Sequence, residues 1–151
     1  MRFFIDEVEV FFPYESCYPE QYNYMVSLKQ SLDAKGHCLL EMPTGTGKTV
    51  SLLSLITSYQ IAHPKSTGKL LYCTRTVPEM TAAVKELKKV VAYQEEYFPK
   101  KRVTGVCLSS RRNMCIHEDV MRTDANSVDT ECRRRTAPWN SGGSSSRCNF
   151  F

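Results

Sequence analysis

The sequence predicts an α/β fold built on a parallel sheet, and three observations carry that prediction. Leu39-Leu40-Glu41-Met42 reads as a buried strand that runs into a glycine-rich loop. The loop opens directly into an apolar helix from about Lys48 to His63, stopped by Pro64. After a Ser66-Thr67-Gly68 loop, Lys69-Leu70-Leu71-Tyr72-Cys73-Thr74 reads as a second buried strand. Strand, glycine loop, helix and strand in this order form the unit of doubly wound sheets.

The loop core, Gly45-Thr46-Gly47-Lys48-Thr49, has the make-up of a phosphate-binding P-loop. Gly45 and Gly47 permit backbone dihedrals that a side chain would forbid, so amides can converge on one anion. The following helix adds its free N-terminal N–H groups and the positive end of its dipole. Lys48 suits the β- and γ-phosphates as a point charge, and the Thr49 hydroxyl suits Mg²⁺. The general pattern has glycine where this chain has Met42, but the tighter Gly-x-Gly-Lys-Thr core is intact. Met42, Pro43 and Thr44 complete the expected ATP-binding loop.

The first elements are shorter. Val8-Glu9-Val10 alternates as a strand does, and Asp6, Glu7 and Glu9 are expected to face solvent. Pro13-Tyr14 breaks that strand. A helix opens at Tyr18-Pro19-Glu20-Gln21, with Pro19 suited to the first turn and Glu20 to the dipole. Tyr18, Tyr22, Met25, Leu28 and Leu32 form one apolar face, and Gly36 is the expected stop. His37 and Cys38 read as structural.

Thr76 and Glu79 fit a Ser/Thr-x-x-Glu capping box that starts another helix. Met80, Ala83, Val84, Leu87, Val90 and Val91 line one side; Lys85, Lys88 and Lys89 make a solvated face opposite. Arg75 falls at the carboxyl end of a strand beside a helix N-terminus, where open α/β sheets bind ligands. Pro99-Lys100-Lys101-Arg102 is a basic turn. Val103–Leu108 is the next expected strand, with Cys107 in the core.

Beyond residue 108 the periodic apolar pattern stops, so a boundary is placed there. Residues 1–108 form one domain and 109–151 the start of a second. The 151 residues carry a net charge of +4, unevenly spread. Residues 1–99 hold 10 Lys/Arg against 11 Asp/Glu, and residues 100–151 hold 10 against 5. That excess fits a polyanionic partner or a solvated basic face. No apolar run approaches a membrane span, and Met1–Glu7 meets acid before any leader-like run forms. An intracellular, reducing compartment is expected. Seven cysteines there favour metal ligation, reactivity or burial over disulfides. Cys115, Cys132 and Cys148 are separated by 16 and 15 residues, and no Cys-x-x-Cys pair is present. Spacing alone leaves metal ligation and free thiols both open. Ser141–Ser146 is a flexible linker by composition, a natural loop or an engineered replacement.

Several separate stretches, in order, resemble the XPD family of superfamily 2 iron–sulfur DNA helicases, which serve in the transcription and repair factor TFIIH. They are Tyr14, Tyr18–Gln21, Leu32–His37, Glu41–Val50, Arg75–Glu79, Leu108–Arg111, Asn113 and Cys115-Ile116-His117. The likeness covers residues 1 to about 120 well, then Cys132 and Cys148 more loosely. It implies a RecA-like first motor domain interrupted by an iron–sulfur domain. It implies Gln21 on the nucleotide side, Lys48 and Thr49 in the ATPase motif, and Arg75 and Thr76 in a DNA-facing motif. Arg112 is expected on DNA phosphate as well, because it follows a strand with backbone amides near. Cys115, Cys132 and Cys148 resemble three of the four ligands of a [4Fe–4S] cluster.

The resemblance thus implies the N-terminal fragment of a nuclear, ATP- and Mg²⁺-dependent 5′–3′ DNA helicase of nucleotide excision repair and transcription initiation. Its partners would be single-stranded DNA and other TFIIH core subunits, with no membrane. The family's acidic Mg²⁺ motif, second motor domain and fourth cluster-ligating cysteine are not in this sequence, so the fragment is expected to be inactive alone. Two alternatives stand beside it: an ATP-binding or scaffold module without turnover, and an unrelated P-loop kinase or NTPase.

Overall fold

Alternating apolar residues at the N-terminus fold back on themselves. β1 (Arg2–Ile5) and β2 (Val8–Phe11) pair antiparallel, with Ile5 opposite Val8 and Arg2 opposite Phe11. The two-residue turn between them places Asp6 at φ 51°, a left-handed conformation that Asp tolerates better than most side chains. The structure, a computed structural model, describes residues 1–99, 103–124, 126–139 and 147–150. The basic turn at Lys100–Arg102 and the Ser141–Ser146 linker fall outside them. The chain folds as two compact units, Met1–Gly105 and Val106–Phe151.

In the first unit three helices gather on the hairpin: α1 (Pro19–Asp33), α2 (Lys48–Ala62) and α3 (Val77–Glu95). α2 is central and packs against β2, α1 and α3. Its burial follows from its composition, which leaves almost no charged face. The core joins Val8, Val10 and Phe12 to Met25 and Leu28 of α1, Leu53 and Leu55 of α2, and Val90 of α3. Serines also serve α2's buried surface. Ser51, Ser54 and Ser58 are fully buried, and Ser58 Oγ accepts the Phe11 N–H at 3.1 Å. Gln94 of α3 reaches in and donates to Thr57 Oγ1 at 2.7 Å. The Ser58 and Thr57 hydroxyls thus satisfy polar groups that burial would otherwise strand, while Ser54 Oγ is buried without a partner.

α1 begins at Pro19, as expected, and α3 carries Pro78 at its second position. The capping box at α3 forms as expected: Glu79 N–H donates to Thr76 Oγ1 at 3.3 Å, and Thr76 N–H donates to Glu79 Oε2 at 3.2 Å. Met25 and Leu28 of α1 are buried, but Tyr18 and Tyr22 of the same expected face are exposed.

The mixture of helices and strands fits the expected α/β class, while no parallel sheet forms among the described residues. The stretches 39–42, 69–74 and 103–108 belong to no helix or strand. The described sheet is the two-stranded antiparallel hairpin. Leu39 is 99 % exposed and Leu71 85 %, so apolar composition alone did not bury them. Cys107, expected in the core, is exposed. The reason is cooperative. A parallel strand needs neighbours for its backbone groups and cover on both faces. Where no neighbouring strand pairs with it, an apolar run is only partly covered: Leu40 and Leu70 rest against the core, while Leu39 and Leu71 face water.

The second unit holds the short helices α4 (Arg111–Met114) and α5 (Glu118–Met121) and the longer α6 (Val128–Thr136). Both short helices pack against α6. Val120 and Val128 are its buried apolar residues.

Candidate phosphate-binding site

The glycine loop is built as its residue types require. Gly45 and Gly47 have φ of 80° and 81°, in the left-handed region that glycine enters at no steric cost. Gly47 is the N-cap of α2, so the first amides of α2 lack intrahelical acceptors and face the loop. Steric room imposes glycine at 47 a second time. A Cβ there would lie 2.5 Å from Gln21 Nε2 and 3.3 Å from Val50 Cγ1.

Gln21 ties this loop to α1. It is 5 % exposed. Its Nε2 donates to the Thr46 carbonyl at 2.9 Å, and its Oε1 accepts the Tyr18 N–H at 2.9 Å. The loop is also braced from within: Thr46 Oγ1 donates to the Pro43 carbonyl at 2.6 Å. Lys48 Nζ donates to the carbonyl of Met42, and lies 3.3 Å from that of Pro43. The ammonium is therefore folded over the loop, with a third donor still to give.

Two clefts flank the loop. One, of about 500 Å³, is lined by Thr49, Tyr72, Cys73, Thr74, Arg75 and Glu79, among others. The other, of about 400 Å³, is lined by Leu39–Met42, Thr44 and Lys48. Thr49 Oγ1 lies 3.5 Å from the Tyr72 hydroxyl. The structure thus brings Thr49 and Arg75 to one cleft and Gln21 to the loop backbone. Arg75 is 90 % exposed at its side chain and makes an ion pair of 3.3 Å with Glu79. That pair and the Arg75 and Thr76 amides hold the Glu79 carboxyl below its ordinary range, the backbone amide of Arg75 contributing most. Thr76 carries the helix cap, so its hydroxyl oxygen is already an acceptor. Arg112 belongs to the other unit, exposed on α4.

Sequence reasoning did not single out Tyr72 or the ion cluster behind the loop helix. Lys29 on α1 is buried and contacts Asp6 at 3.1 Å, Glu7 at 3.1 Å and Asp33 at 2.7 Å. Tyr59 of α2 donates to the other Asp33 oxygen at 2.8 Å. The hairpin turn, α1 and α2 meet in this cluster. Spacing signals only the i, i+4 pair Lys29–Asp33; the contacts to Asp6 and Glu7 are tertiary.

Cys115, Cys132 and Cys148 lie in the second unit, each partly buried. Arg135 stands among their segments: its carbonyl accepts the Cys148 N–H at 3.4 Å, and its Nη1 lies 3.3 Å from His117 Nε2. The donor chemistry suits iron or zinc, but the geometry does not. Among the described residues no group of three or more His, Cys, Asp or Glu side chains converges to hold a metal ion. As arranged, the three thiols do not fit such a centre.

Residues 72–151, more than half of the chain, match the family model described as DEAD_2. This chain belongs to the DEAD_2 family. It is 55 % identical, over 141 residues, to the "General transcription and DNA repair factor IIH helicase subunit XPD" of Arabidopsis thaliana. That match covers 92 % of the chain and 19 % of the relative. The like-named subunit of Dictyostelium discoideum is 49 % identical over 155 residues, covering 100 % of the chain and 20 % of the relative. A more distant similarity, 32 % over 168 residues, reaches the "Regulator of telomere elongation helicase 1 homolog" of Drosophila erecta, with 85 % of the chain and 16 % of the relative covered. The chain spans about a fifth of the length of these two XPD relatives. No helix among the described residues is long and apolar enough to cross a membrane.

Proposed function

We propose that this chain supplies the P-loop part of the first, RecA-like motor domain of an ATP-dependent 5′–3′ DNA helicase of the TFIIH type. That helicase acts in nucleotide excision repair and transcription initiation, in the nucleus, on single-stranded DNA and alongside other TFIIH core subunits. The observation that carries this reading is the Gly45–Thr49 loop, capped into α2 by Gly47 and braced by Gln21, in a chain so similar to XPD subunits.

ATP would bind with its phosphates against the Gly45–Thr49 amides and the start of α2. Lys48 Nζ would leave the Met42 and Pro43 carbonyls for the β- and γ-phosphate oxygens. Thr49 Oγ1 would hold Mg²⁺, which spreads and neutralises phosphate charge. Such catalysis is mainly positioning and charge stabilisation, so the chain alone binds and does not turn over. Arg75, at the same cleft as Thr49, and the adjoining Thr76 would contact DNA phosphate from the first unit, and Arg112 from the second. Cys115, Cys132 and Cys148 are proposed as three ligands of a [4Fe–4S] cluster. Loading it would require them to rearrange, and no step is derived through it.

Lys48→Ala tests the reading. The ammonium supplies phosphate charge, so Mg·ATP binding falls at least about tenfold, while the loss of its bonds to the Met42 and Pro43 carbonyls lowers the melting temperature only slightly. Calorimetric titration beside a thermal melt reads both. Equal binding by a folded variant would sink the proposal; binding in the absence of hydrolysis by the longer protein would favour a scaffold module.

A further inference from the structure

α3 packs on α2 along a seam that contains a single long polar side chain. Ala83, Leu87, Val90 and Gln94 recur at alternating steps of four and three, the spacing of a helix edge laid against a second helix. Ala83 and Val90 are buried, Leu87 packs against the core, and Gln94 is 3 % exposed. On α2, Ser51, Ser54 and Ser58 fall on one buried stripe, and Gln94 meets that stripe at its Ser58 end. Equal, small side chains offer few ridges, so shape alone holds a neighbouring helix loosely in register. The Gln94 amide supplies the missing discrimination. Its Nε2 donates to Thr57 Oγ1 at 2.7 Å and lies 3.4 Å from Ser58 Oγ, which accepts the Phe11 N–H. Thr57-Ser58 is the one place in α2 where two hydroxyls adjoin. A turn nearer the N-terminus of α2 there is Ser54 alone, and a turn nearer the C-terminus Ile61 and Ala62 offer no hydroxyl. Net stability is a poor reason for this network. Gln94 Oε1 and Ser54 Oγ are buried without a partner among the described residues, a cost that apolar side chains would not carry.

We propose that Gln94 is a positioning residue that fixes the register of α3 along α2, as one buried amide does in a coiled-coil seam. The register matters at the far end of α3. α2 opens with Lys48 and Thr49, and Glu79 and Ala82 of α3 line the cleft that Thr49 also lines. A slip of one turn would carry the α3 wall of that cleft by about 5.4 Å. Gln94 thus sets the geometry of a cleft whose Ala82 is about 18 Å away along the helix. Packing alone carries this, independent of the nucleotide reading.

The test is methyl NMR of Ala82, Leu87 and Val90 in the full chain, beside a thermal melt. Gln94→Met keeps the side-chain length and removes the amide. Wild type should show one conformer at all three methyls. Gln94→Met should melt at or above the wild-type temperature, yet show a second, still helical conformer at all three. It would appear as split resonances or as relaxation dispersion, populated to about a tenth or more. Thr57→Val keeps the volume and leaves Gln94 one hydroxyl at Ser58 against one at Ser54. It should show the same second conformer, and it carries the test if Gln94→Met does not fold. A second helical conformer at all three methyls supports the register role whatever the melting temperature. A change confined to Leu87 and Val90 is local repacking and overturns it. A second conformer with random-coil carbon shifts is fraying of α3 and overturns it too. A single conformer in both variants, or two already in wild type, would show that the amide does not set the register.

Discussion

Lys29 shows how one buried charge can be retained. Burial alone would lower the pKa of its ammonium, but the hydrogen bonds it donates to Asp33, Glu7 and Asp6 outweigh it and hold the group above its ordinary value. The Lys29 hydrogen bond, opposed by burial, holds the Asp33 carboxyl below its ordinary 3.8. A depressed carboxylate stabilises the fold fully above its unfolded value. That stabilisation is lost as pH falls through the lower folded value. Stability of the first unit should therefore fall below about pH 4, and Lys29→Met should flatten that dependence. The carboxylates stay 39–70 % exposed at their side chains, so water screens the cluster. The cost of Lys29→Met at neutral pH is then about 2 kcal/mol, less than for a fully buried pair. Urea denaturation at pH 7 and pH 3 measures both. Equal acid sensitivity of variant and wild type would show that the cluster is not the source.

At the scale of elements, helix ends decide more than helix middles. The α3 cap places Arg75 and Glu79 at the cleft, and its reciprocal hydrogen bonds are local. Thr76→Ala should cost about 1 kcal/mol of stability and fray the first turn of α3. Thr76→Ser should restore most of it. If both variants melt alike, the cap is not what holds the turn. α6 depends on charge instead. Arg134 first, then Arg135, hold the Glu131 carboxyl at about 2, from an ordinary 4.5. Ion pairs of 2.7 Å and 2.9 Å join these arginines to Glu131. Since the folded value is depressed, this support is complete above pH 4.5 and disappears as pH falls toward 2. Acid titration followed by the α6 amide resonances should show that loss, and Glu131→Gln should remove it.

At the scale of the whole molecule, helices and strands mix as in an α/β class, and the sheet among the described residues is the N-terminal hairpin. Amides of residues 39–42, 69–74 and 103–108 should exchange with deuterium almost at once in this chain, while those of α2 are protected. Strong protection in the three stretches would mean that they pair in solution. The second unit invites a parallel measurement. The three cysteines do not converge, so anaerobic loading with iron and sulfide must reorganise the segments around Arg135. Exchange in α6 should change as visible absorption grows. Full loading with α6 undisturbed would show that the thiols need no rearrangement.

What the sequence by itself determined is local. The glycine loop, the extents of α1 and α2, the α3 capping box and the exposed lysines of α3 follow from spacing, capping chemistry and backbone freedom, which a few adjacent residues settle. Tertiary structure alone decided the rest. Leu39-Leu40 and Leu70-Leu71 have strand composition, but a strand exists only with a partner for its N–H and C=O groups. The burial of Lys29 needed Asp6 and Glu7 to arrive from the hairpin turn. The commitment of Gln21 needed Thr46, 25 residues away in the chain, to present its carbonyl. These contacts join residues distant in sequence, and no periodicity records them.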